Sequence, residues 1–473
     1  MVVTLKYASV SIDEVLATKL RLEANVFNVD ARKAKETLKN CKWELKTICG
    51  ENGFATAYRP NMCTRIYVDK KFGIPMFTPS QMTELKPKAT KYISENTNTD
   101  LSKWYLKEHM IILSCSGTIG NAAIVTKTLR NKLFSQNLIQ ITTTKNEFCG
   151  YLYAYIKSDI GQQLLKSNLY GAVIQHIDPE HLKNIQIPNP NKEIKENIHK
   201  LIMDSFNLRD EANLLLDTAE KLLITELHLP SIEELKPKFY DLDAEVRTFS
   251  VRLDTLNNRF EGSYHNPIIA SILERFFDND LTVKPLRQLS AEITMPGIFK
   301  RIYVSAEEGV PFLGTNDILE LSPRVEKFLS KSGHKKLIET QLAVKENTIL
   351  ITDRGTIGNI VLVPEYYEKE SWTVSQNSIR VVPISNDIAG YLYVFLSSDY
   401  GKVLSKRETY GAVIDMIDPS NAGQIPIPIL KDKAIMKEIN DLALTANKKR
   451  AKAYYKEQEA IQMMNDEVIY ATD

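Results

Sequence analysis

The segment YGAVIQHIDP beginning at Tyr170 returns as YGAVIDMIDP beginning at Tyr410, 240 positions later. RLEANVF from Arg21 is answered by RFEGSYH from Arg259, RIYVDKKFGIPMF from Arg65 by RIYVSAEEGVPFL from Arg301, and SCSGTIGNAAIV from Ser114 by TDRGTIGNIVLV from Thr352. SQNLIQI from Ser135, GYLYAYIKSDIGQQL from Gly150 and IQIPNP from Ile185 recur as SQNSIRV from Ser375, GYLYVFLSSDYGKVL from Gly390 and IPIPIL from Ile425. Offsets that stay between 236 and 240 over most of the chain mean duplication. Solenoid units run about 20 to 50 residues, so copies this long are two whole domains.

Each copy has the same internal order. An early helix (31–39; 268–277) precedes short runs such as RIYV, IPMF and MIILS, whose β-branched and aromatic residues predict strands. GTIGN fits a tight turn between two strands, IILS to AAIV in the first copy and ILIT to IVLV in the second. The GYLY segments then predict one helix each, and IQIPNP a strand whose prolines favour an edge.

From Lys192 to Leu227 the chain has no Gly or Pro, and Ile194, Ile198, Leu201, Leu208, Ala212, Leu215, Ala219 and Leu222 keep an a/d spacing with Ser205 filling one place. Lys431 to about Tyr470 repeats this, with Ile435, Ile439, Leu442 and Ala446, before turning basic. Neither helix buries its stripe alone, so the two are expected to pair. The fold class is therefore α+β: two duplicated mixed α/β domains separated by two long antiparallel, coiled-coil helices. The boundaries read as 1–190 for the first domain, 191–229 for its helix, 230–246 for a proline-bearing connector, 247–430 for the second domain and 431–473 for the last helix.

With 60 Lys and Arg against 59 Asp and Glu, nucleic acid cannot be held by bulk charge, and any basic face must be local. The cysteines Cys41, Cys49, Cys63, Cys115 and Cys149 all lie in the first copy and form no C-x-x-C pair, which argues against a disulfide or zinc framework and for a reducing compartment. No secretory segment and no uninterrupted apolar run of about 18 residues is present, so a cytoplasmic protein is expected. Walker A, methyl-donor glycine, N-P-P-Y, G-x-S-x-G and H-E-x-x-H motifs are missing, and no metal site is expected. His176 is replaced by Met416 in the second copy, which a duplicated catalytic imidazole would not tolerate. A non-catalytic chain is the expectation, with no cofactor of its own.

Gly117, Gly120, Gly355 and Gly358 suit turn geometry, leaving Thr118, Asn121, Arg354, Thr356 and Asn359 as the turn's candidate DNA contacts. Tyr170 and Tyr410 stand beside glycines and read equally as sugar-phosphate contacts or core aromatics, while Asp178 and Asp418 precede prolines and read as caps. The copies differ most just before RIYV and between IPMF and GTIGN. Those loops carry Arg59, Arg65, Lys70 and Lys71 in the first copy and Lys300, Arg301, Lys335 and Lys336 in the second, types that contact base edges or phosphates.

In this order, and twice over, GTIGN, SQN, YLY and YGAVI resemble the DNA specificity subunit of type I restriction-modification systems along nearly the whole chain. In that family an Arg and a small residue commonly precede Gly-Thr. Here Cys115-Ser116 and Asp353-Arg354 stand there, so the resemblance carries that arginine contact only to Arg354. The resemblance implies two target-recognition domains reading an asymmetric, bipartite double-stranded DNA site, with the helices setting the unread gap. It implies two modification subunits that bring S-adenosylmethionine to adenine, and restriction subunits that translocate and cut with ATP and Mg. A specificity subunit of a related multi-subunit type II system, a restriction-methylation enzyme and a pure interaction scaffold are the alternatives.

Overall fold

A computed structural model describes residues 9–472 except 18–19, 21, 23–25, 63, 98–99, 172–174, 236–248, 257, 355–356 and 412. In the first copy, helix α1 (Val29–Lys39) starts at Asn28, whose side chain accepts from Asp30 N. Strands β1 (Ala55–Tyr58), β2 (Ile111–Ser114), β3 (Ala122–Ile124) and β4 (Leu138–Thr143) form an antiparallel sheet of order β1-β4-β2-β3. β2 is buried at every position, as its unbroken apolar run requires. Helices α2 (Cys149–Lys157) and α3 (Asp159–Ser167) cover the sheet, and the chain leaves through α4 (Lys192–Glu226).

The second copy repeats this with α5 (Pro267–Asp278) and strands β5 (Ser290–Thr294), β6 (Ile349–Thr352), β7 (Ile360–Leu362) and β8 (Ser378–Pro383), in the order β5-β8-β6-β7. It continues through α6 (Asn386–Ser397) and α7 (Asp399–Arg407) to α8 (Lys433–Met463). Each copy adds a satellite sheet centred on Ile74–Phe77 or Gly309–Leu313, and closes with a two-stranded pair that uses Gln186–Pro188 or Pro426–Ile429. The early helices, the strand–turn–strand units and the long helices are thus where the sequence reading expects them.

Two expectations need correction. The GYLY segment is not one helix: it breaks at Ser158 and Ser398, whose ψ angles of 157° and 165° are extended. Ser158 Oγ accepts from Gly161 N at 3.1 Å and donates to Tyr155 O at 2.7 Å, so one hydroxyl ends a helix and starts the next. The corner also needs Gly161, because a Cβ there would lie 2.0 Å from Tyr155 O. Ser398 and Gly401 repeat the device.

The second correction concerns the long-helix seam. The buried row on α4 is Ile198, Ile202, Ser205, Arg209, Ala212, Leu216, Ala219 and Leu223, with Leu201, Leu208, Leu215 and Leu222 only half-buried at its flank. On α8 the row is Ile439, Ala443, Ala446, Arg450, Ala453, Glu457 and Ala460, followed by Met464 just beyond the helix. Both rows keep the heptad, but one of the two seam positions in each turn pair is shifted by a residue.

The chain divides into two compact units, and both long helices contribute to each. One unit joins residues 2–210 to 452–473, so the first half of α4 meets the second half of α8. Its core includes Ile198, Ile202 and Phe206 together with Ala460 and Met464. Glu457 is fully buried there, accepting from Arg209 and, at 2.8 Å, from the Tyr153 hydroxyl. The other unit contains residues 211–451, where Glu211 pairs with Lys449 at 2.6 Å and Arg450 donates to Asn213 and to the Tyr393 hydroxyl. Within this unit the helices run antiparallel: as α4 advances from Glu211 to Leu215, its neighbour on α8 falls back from Lys449 to Leu442.

Candidate nucleic-acid interface

In the first copy, the turn after β2 lies beside the paired residues Tyr170 and His176. Tyr170 and His176 exchange backbone hydrogen bonds at 3.0 and 2.8 Å, Ser116 bridges His176, and Ile177 N donates to Cys115 O at 3.1 Å. Gly117 and Gly120 have φ of 73° and 95°, values that favour glycine, so the turn geometry predicted for them is observed. Thr118 is exposed on the turn, and Asn121 is half-buried with its carbonyl accepting from Ser114 N.

Arg59, just past β1, reaches this cluster. Its Nη1 lies 2.6 Å from Asp178 Oδ1 and its Nε donates to Gln136 O at 3.2 Å. The other Asp178 oxygen accepts from the Tyr170 hydroxyl. Burial alone would raise the Asp178 pKa, but the hydrogen bonds from Tyr170 and Arg59 hold it below the usual carboxylate range. The same contact raises the Tyr170 phenol. Arg65 donates to Gln136 Oε1, so Arg59, Arg65 and Tyr170 converge on Gln136 and Asp178. Lys70 and Lys71 stand apart, exposed on the short turn Lys70–Phe72. Asp178 also caps Pro179–Leu182, as its place before proline predicts.

The second copy keeps the frame and changes the groups. Tyr410 and Met416 exchange bonds at 2.8 and 2.7 Å, Arg354 bridges Met416, and Ile417 N donates to Asp353 O. Arg354 is exposed and pairs through Nε with the buried Asp353 at 2.8 Å. Asn359 is half-buried, its carbonyl accepting from Thr352 N, and Thr356 lies outside the described residues. Arg301 Nη2 donates to Gln376 Oε1 at 2.9 Å, the counterpart of Arg65 on Gln136. Lys300 is exposed beside it, and Lys335 and Lys336 are exposed on Lys335–Leu337. Asp418 caps Pro419–Ala422.

Sequence reasoning missed Gln136 and Gln376, although the repeated SQN was the signal that marked them. It also missed Arg380, a buried guanidinium that donates to the carbonyls of Val374, Ser375 and Ser378 and so ties down the loop that carries Gln376. Burial lowers its pKa to about 10. Among the described residues, no group of three or more His, Cys, Asp or Glu is placed to hold a metal ion, and no helix is long and apolar enough to cross a membrane.

The two copies thus share one scaffold and carry basic, polar loops that differ between them. The chain belongs to the family of the type I restriction modification DNA specificity domain, which it matches twice, over residues 64–213 and 291–453. It is accordingly a DNA-sequence-recognising specificity subunit of a restriction-modification system. Among solved structures it is similar to the type I restriction-modification S subunit from M. genitalium, with 15% identity over 91% of this chain and 96% of that one and a TM-score of 0.33. It is also similar to the HsdS subunit from Thermoanaerobacter tengcongensis, with 15% identity over 87% and 97% and a TM-score of 0.26. Among curated proteins none matches significantly.

Proposed function

We propose that this chain reads an asymmetric, bipartite double-stranded DNA target, one half with each copy, and directs partner subunits to it. The observation that carries the reading is one frame furnished differently: around the shared Tyr170/Tyr410 and Asp178/Asp418, the first copy sets Arg59 on Asp178 beside Cys115, Ser116 and His176, and the second sets Arg354 on Asp353 beside Met416. Equal frames dock on DNA in the same manner, and unequal side chains select unequal bases. Residues 1–190 and 247–430 are the recognition domains. The exposed Lys70, Lys71, Lys300, Lys335 and Lys336 contact phosphates, which position without specifying.

The helices α4 and α8 set the number of unread base pairs and dock two modification subunits. With 35 residues, α4 is about 50 Å long. Those subunits supply S-adenosylmethionine and methylate adenine, and restriction subunits supply ATP- and Mg-dependent translocation and cleavage, while this chain supplies specificity without catalysis, in the cytoplasm. Long-read sequencing of adenine methylation in the host, with the gene intact and deleted, tests the reading. Loss of one gapped motif on deletion is the expected result. An unchanged pattern, with no DNA binding by the purified complex, refutes it. Cleavage that needs no translocating partner would assign the chain to a multi-subunit type II system.

A further inference from the structure

The copies share one side-chain pair outside the Tyr170–His176 and Tyr410–Met416 pairings. Arg65 and Arg301 occupy equivalent places at the head of RIYV, and each donates to the side-chain carbonyl of an equivalent glutamine, Gln136 or Gln376. The glutamines are buried, at 8% and 9% exposure, while Arg301 is exposed and Arg65 partly so. A glutamine oxygen that accepts one N–H restrains where the guanidinium sits and leaves the rest of its five-donor fork available. In the second copy the Arg301 guanidinium also lies 5.9 Å from the Phe299 ring and 5.7 Å from the Phe312 ring, and Arg380 anchors the loop beneath Gln376.

A second, independent feature marks the same loop. Three residues before each arginine stands an apolar side chain held in solvent, Met62 at 82% exposure and Ile298 at 91%. The loops differ in sequence, yet both keep an apolar group at a position that buries nothing within its own unit. Such a group gains only when a ligand covers it, and thymine methyls and base edges are the apolar surfaces that a DNA groove presents beside hydrogen-bonding ones.

We propose that Arg65 and Arg301 each read a guanine, one in each half of the target, with guanidinium groups restrained by Gln136 and Gln376. The arginines are the contacting residues and the glutamines are positioning residues. The proposal rests on the DNA-reading function given above. A planar fork matches guanine O6 and N7 together, whereas a lysine ammonium offers only a point charge.

The test uses the full chain assembled with its modification subunits in cells, carrying wild type, Arg301→Lys, Arg301→Ala, Gln376→Ala or Arg65→Lys, with adenine methylation read genome-wide. Arg301→Lys is expected to relax one guanine position in one half-site by about tenfold or more, with every other position unchanged. Gln376→Ala is expected to act at the same position, and Arg65→Lys at a guanine in the opposite half. A uniform fall in methylation with the motif intact marks a phosphate contact and overturns the proposal. So does an unchanged motif, or loss of the assembled complex in both Arg301 variants on size-exclusion chromatography. If wild type itself marks no gapped motif, the parent reading fails, and that result is distinct from a fault in the arginine–glutamine pairs.

Discussion

The fully buried Glu457 makes the sharpest energetic prediction. Glu457→Leu leaves the Arg209 guanidinium, itself only 5% exposed, without its carboxylate, and removes the acceptor of the Tyr153 hydroxyl. Breaking a buried ion pair from one side costs about 3–5 kcal/mol. The orphaned hydroxyl adds about 1 kcal/mol. The double variant Arg209→Leu/Glu457→Leu removes both charges, and exchanging a buried pair for packed apolar residues is neutral to stabilising. In the second unit the residue equivalent to Glu457 is the buried Leu216, and there the equivalent arginine, Arg450, is satisfied instead by Asn213 and the Tyr393 hydroxyl. Urea unfolding of the four members of the cycle measures the coupling. The reasoning is refuted if Glu457→Leu costs less than about 1 kcal/mol, or if the double variant is no more stable than Glu457→Leu alone. Burial would raise the Glu457 pKa, but Arg209, Lys157 and the Tyr153 hydroxyl hold it below the ordinary value. The pair's contribution is therefore complete above the unfolded carboxylate pKa of about 4.3 and is lost as pH falls through the lower folded value.

Three further outcomes are expected. His199 Nδ1 accepts from Gly150 N at 3.2 Å, and burial, with His109 adding to it, lowers its pKa, while Glu147 and Glu196 oppose the shift. Stability from this contact is full above about pH 6.5 and falls as pH drops through that value toward the folded pKa. His199→Asn, which installs the residue type found at the equivalent Asn440, should flatten that slope in thermal melts at pH 5 to 8; a slope identical to wild type would remove His199 from the account. Gly390→Ala would set a Cβ 2.3 Å from the Asn440 carbonyl on α8, so a loss of about 1–3 kcal/mol is expected on chemical unfolding, and neutrality would show that the helix yields freely. Ser158→Ala deletes the hydroxyl that joins α2 to α3 and should cost about 1–2 kcal/mol, measurable as a lower urea midpoint, with Ser158→Thr keeping much of the loss from appearing.

Much of what depends on near neighbours or on internal repetition was legible in the sequence, the local helix breaks at Ser158 and Ser398 excepted. The duplicated order of motifs identified two domains of one topology, the apolar runs placed β2 and β6, and the proline after Asp178 and Asp418 marked both as caps. These signals are local, since turn chemistry and periodicity act over a few residues. Arg59 was also visible as a candidate because the copies diverge around it, and Arg65 because it borders that divergent stretch at the head of RIYV.

The tertiary structure decided what those local signals left degenerate. On α4, Leu201 sits next to Ile202, Leu208 next to Arg209, Leu215 next to Leu216 and Leu222 next to Leu223, so two heptads overlap and the sequence favours the wrong one, because only the other contains a charged residue. Only the partner helix selects the row that is buried, and it places a charged residue, Arg209, in that row because Glu457, 248 positions away, meets it there. Gln136 and Gln376 look like ordinary polar residues until folding sets an arginine from 71 or 75 positions away on each. Contacts of that range carry no periodic trace in a single sequence, because the energy that fixes them comes from burial and pairing between segments that the chain order keeps apart.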